Sequence, residues 1–361
     1  MLSMLLAIVA TAPPAAMPRI EIAADKKGFL LAGTTTPFRP WGLNYGNAGR
    51  LIEDFWAGEW PTVEADFRAM KALGANVVRV HLQVGKFMTA ADKPDAAALD
   101  RLGKLLALAE QTGLYLDLTG LGCYRKADIP PWYDGLSEAD RWTVQAHFWE
   151  AIAERCAASP AVFCYDLMNE PVSPGGKRKH GEWMSGKPFG GYDFVQFIAL
   201  DPAGRPREEI ARQWIKTLSA AIRKHDRRTL ITVGLLPWTP ELHHLSGFLP
   251  EKVAPELDFV SVHIYPKTGK VDEAITGLKH FAVGKPVVIE ETFNLSCPIA
   301  DVEAFLKRSR EHACGWMGHY DGQTIEQLDQ RREDKTITMG QSIYRDWLQL
   351  FRRLGPEMVG R

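Results

Sequence analysis

The chain has 361 residues, of which 46 % are hydrophobic and 24 % charged, with a formal net charge of −1. It is apolar enough for one large core, and too evenly charged for a nucleic-acid partner, because phosphate binding needs clustered Lys and Arg and no basic stripe is present. Eleven Trp are a generous number, but most Trp in any protein fill the core, so they say little about sugar stacking on their own.

At the N-terminus an apolar run from Leu2 to Ala10 leads into Ala10-Thr11-Ala12, an A-x-A-like cleavage site, and then a Pro-rich spacer. The pattern predicts a leader over residues 1–16 and a secreted or periplasmic protein, although no Lys or Arg precedes the run. The run is too short to cross a bilayer as a helix, and no other segment reads as membrane-spanning. RIEIAA and GFLLAG then predict two short strands around the turn Asp25-Lys26-Lys27, a hairpin expected to plug one end of the fold.

From there strands and helices alternate. WGLNYG reads as strand 1, residues 62–73 as a helix, ANVVRVHL as strand 2 and residues 96–112 as a Leu- and Ala-rich helix. LYLDLTG is strand 3, followed by a helix over 138–157, and AVFCYDLMNEP is strand 4, followed by a helix over 207–225. TLITVGLL, LDFVSVHIYP, KPVVIEETF and CGWMGHY continue as strands 5 to 8, with helices near 272–280, 302–312 and 342–354. The link after strand 5 is the weakest, with only a helical turn near 243–249. Alternation of this kind predicts an α/β protein with a parallel sheet, and eight units are the number that closes a (β/α)8 barrel. Residues 17–361 therefore read as one domain.

No GxGxxG or P-loop follows any strand, so no nucleotide cofactor is expected. Nor is a metal. The five Cys form no CxxC or zinc spacing, and His243-His244 are adjacent, so both cannot share one helix face. Cys164 and Cys314 lie in apolar strand-like runs, where a free Cys behaves as a small hydrophobe; an exported chain has room for one or two disulfides that sequence cannot pair. The segment 171–206 is too long for a plain βα connection, and 321–338 is a second candidate wall. Trp183, Phe189 and Tyr192 in the first segment read equally as sugar platforms or as the loop's own small core.

In an α/β barrel the chemistry sits at the C-terminal ends of the strands. There the sequence offers Asn44 on strand 1, Arg79 and His81 on strand 2, and Asn169-Glu170 on strand 4. His263 and Tyr265 end strand 6, Glu290-Glu291 end strand 7, and Trp316, His319 and Tyr320 lie on strand 8. Two carboxylates on nearly opposite strands suit glycoside cleavage, which needs one carboxyl to donate a proton and one carboxylate to attack.

Arg on strand 2, N-E-P ending strand 4, H-x-Y ending strand 6, Glu ending strand 7 and Trp on strand 8, in that order, resemble glycoside hydrolase family 5. That family holds retaining (β/α)8 cellulases and β-mannanases, and the likeness covers nearly the whole chain after the leader. The resemblance implies a hydrolase for β-1,4-linked glucan or mannan, with Glu170 as acid/base and Glu291 as nucleophile. It further implies that Asn169 binds the sugar 2-hydroxyl, that Arg79 and Tyr265 hold Glu291 ionised, that His263 positions Glu170, and that Trp316 forms the floor under the sugar. Glu290 is then expected to pack outward, paired with a cation or backbone. His81, His319 and Asn44 read equally as site or as packing. Two departures stand out: Thr119 where many members end strand 3 with His, a corner that His81 is expected to fill, and Thr292 after the nucleophile. Two other readings keep the same residues: a transglycosylase, or a silent carbohydrate-binding barrel.

Overall fold

The computed structural model describes residues 17–237 and 246–360. The leader and His243-His244 lie outside the described residues. Largely apolar runs bounded by turns form eight parallel strands: Trp41–Asn47, Val77–Gln83, Tyr115–Gly122, Val162–Asn169, Leu230–Leu235, Val260–His263, Val287–Glu291 and Gly315–Asp321. Each pairs with the next, and strand 8 pairs with strand 1 over six residue pairs from Trp316 with Trp41 to Asp321 with Gly46, which closes the barrel.

The helices outside it bury their apolar stripes against the strands, as a barrel with both faces covered requires. Their ends follow ordinary capping rules. Asp95 accepts from Ala98 N at the start of Ala96–Thr112, and Thr338 with Gln341 forms a capping box that starts Met339–Val359. The predicted second wall is itself partly helical: Thr324 and Gln327 cap a helix over Ile325–Glu333. Among the described residues no helix is long and apolar enough to cross a membrane.

The N-terminal hairpin gains a third strand, giving an antiparallel sheet of Ile20–Ile22, Phe29–Leu31 and Pro37–Phe38. It plugs the end where the strands begin. Phe29 meets Phe163 and Phe259 edge-on, each at 5.2 Å, and clusters with Val77, Tyr115, Val288 and Met317. With that end sealed by apolar packing, the interior turns polar toward the other end.

All five cysteines are free thiols, Cys123, Cys156 and Cys164 buried and Cys297 and Cys314 half-buried. The room left for disulfides is not used.

Candidate active site

Side chains alternate along a strand, so on strand 8 Met317 and His319 face the barrel axis while Trp316, Gly318 and Tyr320 face the helices. Trp316 is accordingly buried outside the barrel, its Nε1 donating to Ser309 Oγ at 2.8 Å on the helix Ile299–Ser309. It is not the floor of a sugar site. The strand-8 residue that reaches the site is His319, whose Nε2 lies 3.0 Å from the Tyr265 hydroxyl.

Strand 7 breaks the alternation. Val262 pairs with Ile289 but His263 pairs with Glu291, so Glu290 is the extra residue of a bulge. Val288 and Glu290 face the axis by alternation, and the bulge swings Glu291 inward as well. Glu290 therefore does not pack outward: it is fully buried, 3.7 Å from Arg79 Nη2 and 3.4 Å from His263 Nε2. Glu291 keeps 12 % of its side chain exposed, against none for Glu290, and only an exposed carboxylate can touch a sugar. Of the two, only Glu291 is open to the barrel mouth.

Strand 4 carries a similar irregularity between Asp166 and Asn169, opposite Thr232 and Gly234. It ends in Glu170, which sits in the left-handed region at φ 46° with its N–H donating to Gly234 O at 2.9 Å. A non-glycine residue held there is strained, and strain of this kind gathers at functional sites, where surrounding contacts enforce it. Here it aims the 15 %-exposed Glu170 carboxylate across the barrel mouth. Oxygens of Glu170 and Glu291 and a nitrogen of His263 all lie within 4.8 Å of one another.

Arg79 is the hub beneath them. Its Nη1 donates to Glu291 Oε1 at 2.5 Å and Asn44 Oδ1 at 2.8 Å. Its Nη2 donates to Asp166 Oδ2 at 2.7 Å and Asn169 Oδ1 at 2.9 Å. Tyr265 donates to the other Glu291 oxygen at 2.6 Å. Burial alone would raise the Glu291 pKa, but His263, Arg79, His319 and the Tyr265 hydrogen bond hold it well below the ordinary carboxylate range. An ionised carboxylate with bonded oxygens is what a nucleophile at an anomeric carbon requires.

The remaining predicted residues divide. Asn44 donates to the Glu290 and Gly318 carbonyls besides accepting from Arg79, so it braces the barrel. His81 fills the corner beside strand 3 as expected, with Nδ1 2.6 Å from the Tyr124 hydroxyl. Asn169 Nδ2 donates to Phe194 O at 3.1 Å and keeps a second hydrogen for a ligand. The segment 171–206 is tied down: Trp183 is buried and donates to Asp134 O, and Tyr192 donates to Gly49 O at 3.0 Å. Those two pin the loop to the barrel, Trp183 against Arg141 and Tyr192 beside Leu51 and Tyr124, while Phe189 is exposed. A cavity of about 700 Å³ under this loop is lined by Tyr124, Arg125, Arg178, Met184 and Asp193, and shares Tyr124 with the site.

Sequence reasoning missed the polar layer below the site, where Asp117, Asp166 and Glu290 bring oxygens within 4.8 Å of one another. The signal was present: strands 3 and 4 each carry one acid in an apolar run, and Asp117 pairs in register with Arg79. Either carboxylate cluster has enough oxygens for a metal, but Arg79 and His263 already stand against them as cations or donors.

The family model for cellulase, glycosyl hydrolase family 5, matches residues 24–323. No curated protein matches the chain by sequence. Among solved structures, the exo-β-1,4-mannosidase of Opitutaceae bacterium strain TAV5 is 18 % identical, with a TM-score of 0.68, covering 94 % of this chain and 63 % of its own. This chain thus spans under two thirds of that enzyme. A β-1,4-mannanase from the sea hare Aplysia kurodai is 17 % identical over 93 % of this chain and 96 % of its own, with a TM-score of 0.62. The catalytic domain of Thermobifida fusca endoglucanase Cel5A is 15 % identical over 84 % and 86 %, with a TM-score of 0.56. At such identities these structures establish the shared barrel, while the family match spans most of the chain and includes the strands that bear Arg79, Glu170, His263 and Glu291. The chain is a (β/α)8 glycoside hydrolase belonging to glycosyl hydrolase family 5.

Proposed function

We propose that the protein hydrolyses β-1,4-linked mannan or glucan, or oligosaccharides derived from them, with retention of configuration, Glu291 attacking the anomeric carbon and Glu170 serving as acid, then base. The observation that carries this reading is the carboxylate spacing. One oxygen of Glu170 and one of Glu291 approach within 4.8 Å of each other, which supports the close carboxyl pair of retaining enzymes over the roughly 6.5–9.5 Å separation that leaves room for an inverting water. In the first step Glu170 protonates the departing oxygen as Glu291 forms the glycosyl ester. In the second Glu170 takes a proton from water, which displaces Glu291. Arg79 and Tyr265 share the charge on Glu291 before it attacks and again as water displaces it, and Asn169 offers its free N–H to the 2-hydroxyl. Both substrate types are supported by the neighbours, two named for β-1,4-mannosidase or mannanase activity and one for endoglucanase activity. The apolar run from Leu2 to Ala10 supports export, which N-terminal sequencing of protein recovered from the medium tests.

The test compares wild type, Glu170→Ala and Glu291→Ala on aryl β-mannoside, aryl β-glucoside, β-mannan and soluble cellulose. Wild type is expected to cleave at least one. Glu170→Ala should lose roughly 10²–10⁴-fold on the polysaccharide and much less on an aryl glycoside whose leaving group needs no proton. Glu291→Ala should be inactive, and azide should restore turnover with a glycosyl azide of inverted configuration. Full activity in Glu291→Ala would remove the assignment.

A further inference from the structure

Three carboxylates surround one imidazole at the barrel mouth, and only two of them are open to a sugar. The third, Glu290, is wholly buried with Oε2 3.4 Å from His263 Nε2. The opposite ring nitrogen, Nδ1, lies 3.0 Å from Glu170 Oε1 and 3.6 Å from Glu291 Oε2. Strand 5 is shaped to allow this. A Cβ on Gly234 would stand 2.7 Å from Glu290 Oε2, 2.8 Å from His263 Nε2 and 3.0 Å from Arg79 Nη2. The missing side chain is therefore the space that the Glu290–His263 pair occupies.

A neutral imidazole carries one N–H. Here it could serve Glu290 or the Glu170–Glu291 pair, and the other nitrogen would turn a lone pair toward a carboxylate. An imidazolium donates on both sides. We propose that Glu290 is a positioning residue that holds His263 as an imidazolium, so that the Nδ1 proton always faces the Glu170–Glu291 pair. The role assigned to that pair rests on the function proposed above; the charge state of His263 does not.

The charges around the ring agree. Burial pulls the His263 pKa down, but Glu291 and the hydrogen bonds to Glu170 and Glu290 outweigh burial and Arg79, and lift it to about 10. His81 and His319, the other imidazoles nearby, are both held below the ordinary value, first by burial, and so add little opposing charge at neutral pH. Below them Asp166 stays bonded to Arg79. Asp117 is pushed well above the carboxylate range by burial and by Glu290, and a proton on Asp117 supplies a donor toward Glu290, whose Oε1 otherwise has none. Fixed in this way, the His263 charge is available to steady Glu291 before attack and Glu170 after it has given up its proton.

The experiment is ¹⁵N NMR of histidine-labelled full-length protein, with the His263 resonances assigned by their loss in His263→Gln, alongside pH profiles of kcat/KM. In wild type at pH 8 both His263 nitrogens are expected at imidazolium shifts. In Glu290→Gln the His263 midpoint should fall by roughly 1–3 units, as for loss of one adjacent opposite charge, and kcat/KM should gain an ionisation in the same range. Glu290→Asp, which keeps the charge, should restore much of the wild-type behaviour. A neutral His263 in wild type at pH 8 overturns the proposal, even if Glu290→Gln does not fold. So does a His263 that remains imidazolium to pH 10 in folded Glu290→Gln. If no glycoside is cleaved, the function fails separately, because the NMR result needs no turnover.

Discussion

Single residues at the mouth of this barrel are distinguished by which oxygen meets which cation. Glu291 and Glu290 are neighbours in sequence, yet one is half-buried and bonded by Arg79 and Tyr265 while the other is sealed against His263. That difference has a pH signature. The folded-state pKa of Glu291 lies below its ordinary value of 4.5. Its ionised form therefore contributes stability that is present above that value and is lost progressively as the pH falls below it. Wild type should accordingly lose ground to Glu291→Gln as the pH is lowered from 6 toward 3, whatever the offset between them at neutrality, when both are followed by urea unfolding. A difference that stays constant across that range would show that Glu291 is not held ionised by its neighbours. Neither Glu170 nor Arg79 needed the structure to be singled out, since N-E-P and an Arg inside an apolar strand are visible in the sequence. Of the partners of Arg79 the family resemblance implied Glu291; Asn44, Asp166 and Glu290 were not visible, because they come from strands 1, 4 and 7 and meet only when the barrel closes.

At the scale of elements, the site depends on where strands depart from regular alternation. The bulge at Glu290 turns two consecutive acids inward, and the irregular end of strand 4 with its left-handed Glu170 points the second exposed carboxylate across the mouth. Gly234 on strand 5 accommodates both departures. Gly234→Ala should cost about 1–3 kcal/mol of stability through overpacking, since its Cβ would fall within 3.0 Å of Glu290, His263 and Arg79. It should also lower kcat more than it raises KM, because the displaced groups hold the reacting carboxylates. Thermal unfolding and steady-state kinetics check both; a variant as stable and active as wild type would mean that the pair is loosely held. The sequence pattern placed these strands and most of the helices that follow them. It could not place the bulges, because a bulge is defined by pairing with a neighbouring strand and leaves no mark on local periodicity. For the same reason the sequence reads Glu290 as facing outward, whereas the family resemblance places Trp316 under the sugar although strand 8 keeps its alternation and turns it toward the helices.

Across the whole molecule, stability and chemistry are sited at opposite ends. The three-stranded N-terminal sheet packs Phe29 and Phe38 into the end where the strands begin, and the carboxylates stand at the other. Phe29→Ala should therefore cost about 3–5 kcal/mol of global stability through the cavity it leaves, while kcat/KM below the unfolding transition stays near the wild-type value. Chemical denaturation and kinetics at 25 °C separate the two, and a large loss of kcat/KM in folded protein would show the ends to be coupled. By itself the sequence determined the alternation of strands and helices, and hence the barrel, together with the residue types at the strand ends that mark a glycosidase. Those follow from the period of apolar residues and from short motifs, both local properties of the chain. Only the tertiary structure decided which of two adjacent acids is open at the barrel mouth, which aromatic faces the site, and that three further carboxylates lie beneath it. Each of these turns on strand register around a closed barrel, where side chains from strands far apart in sequence compete for the same axis.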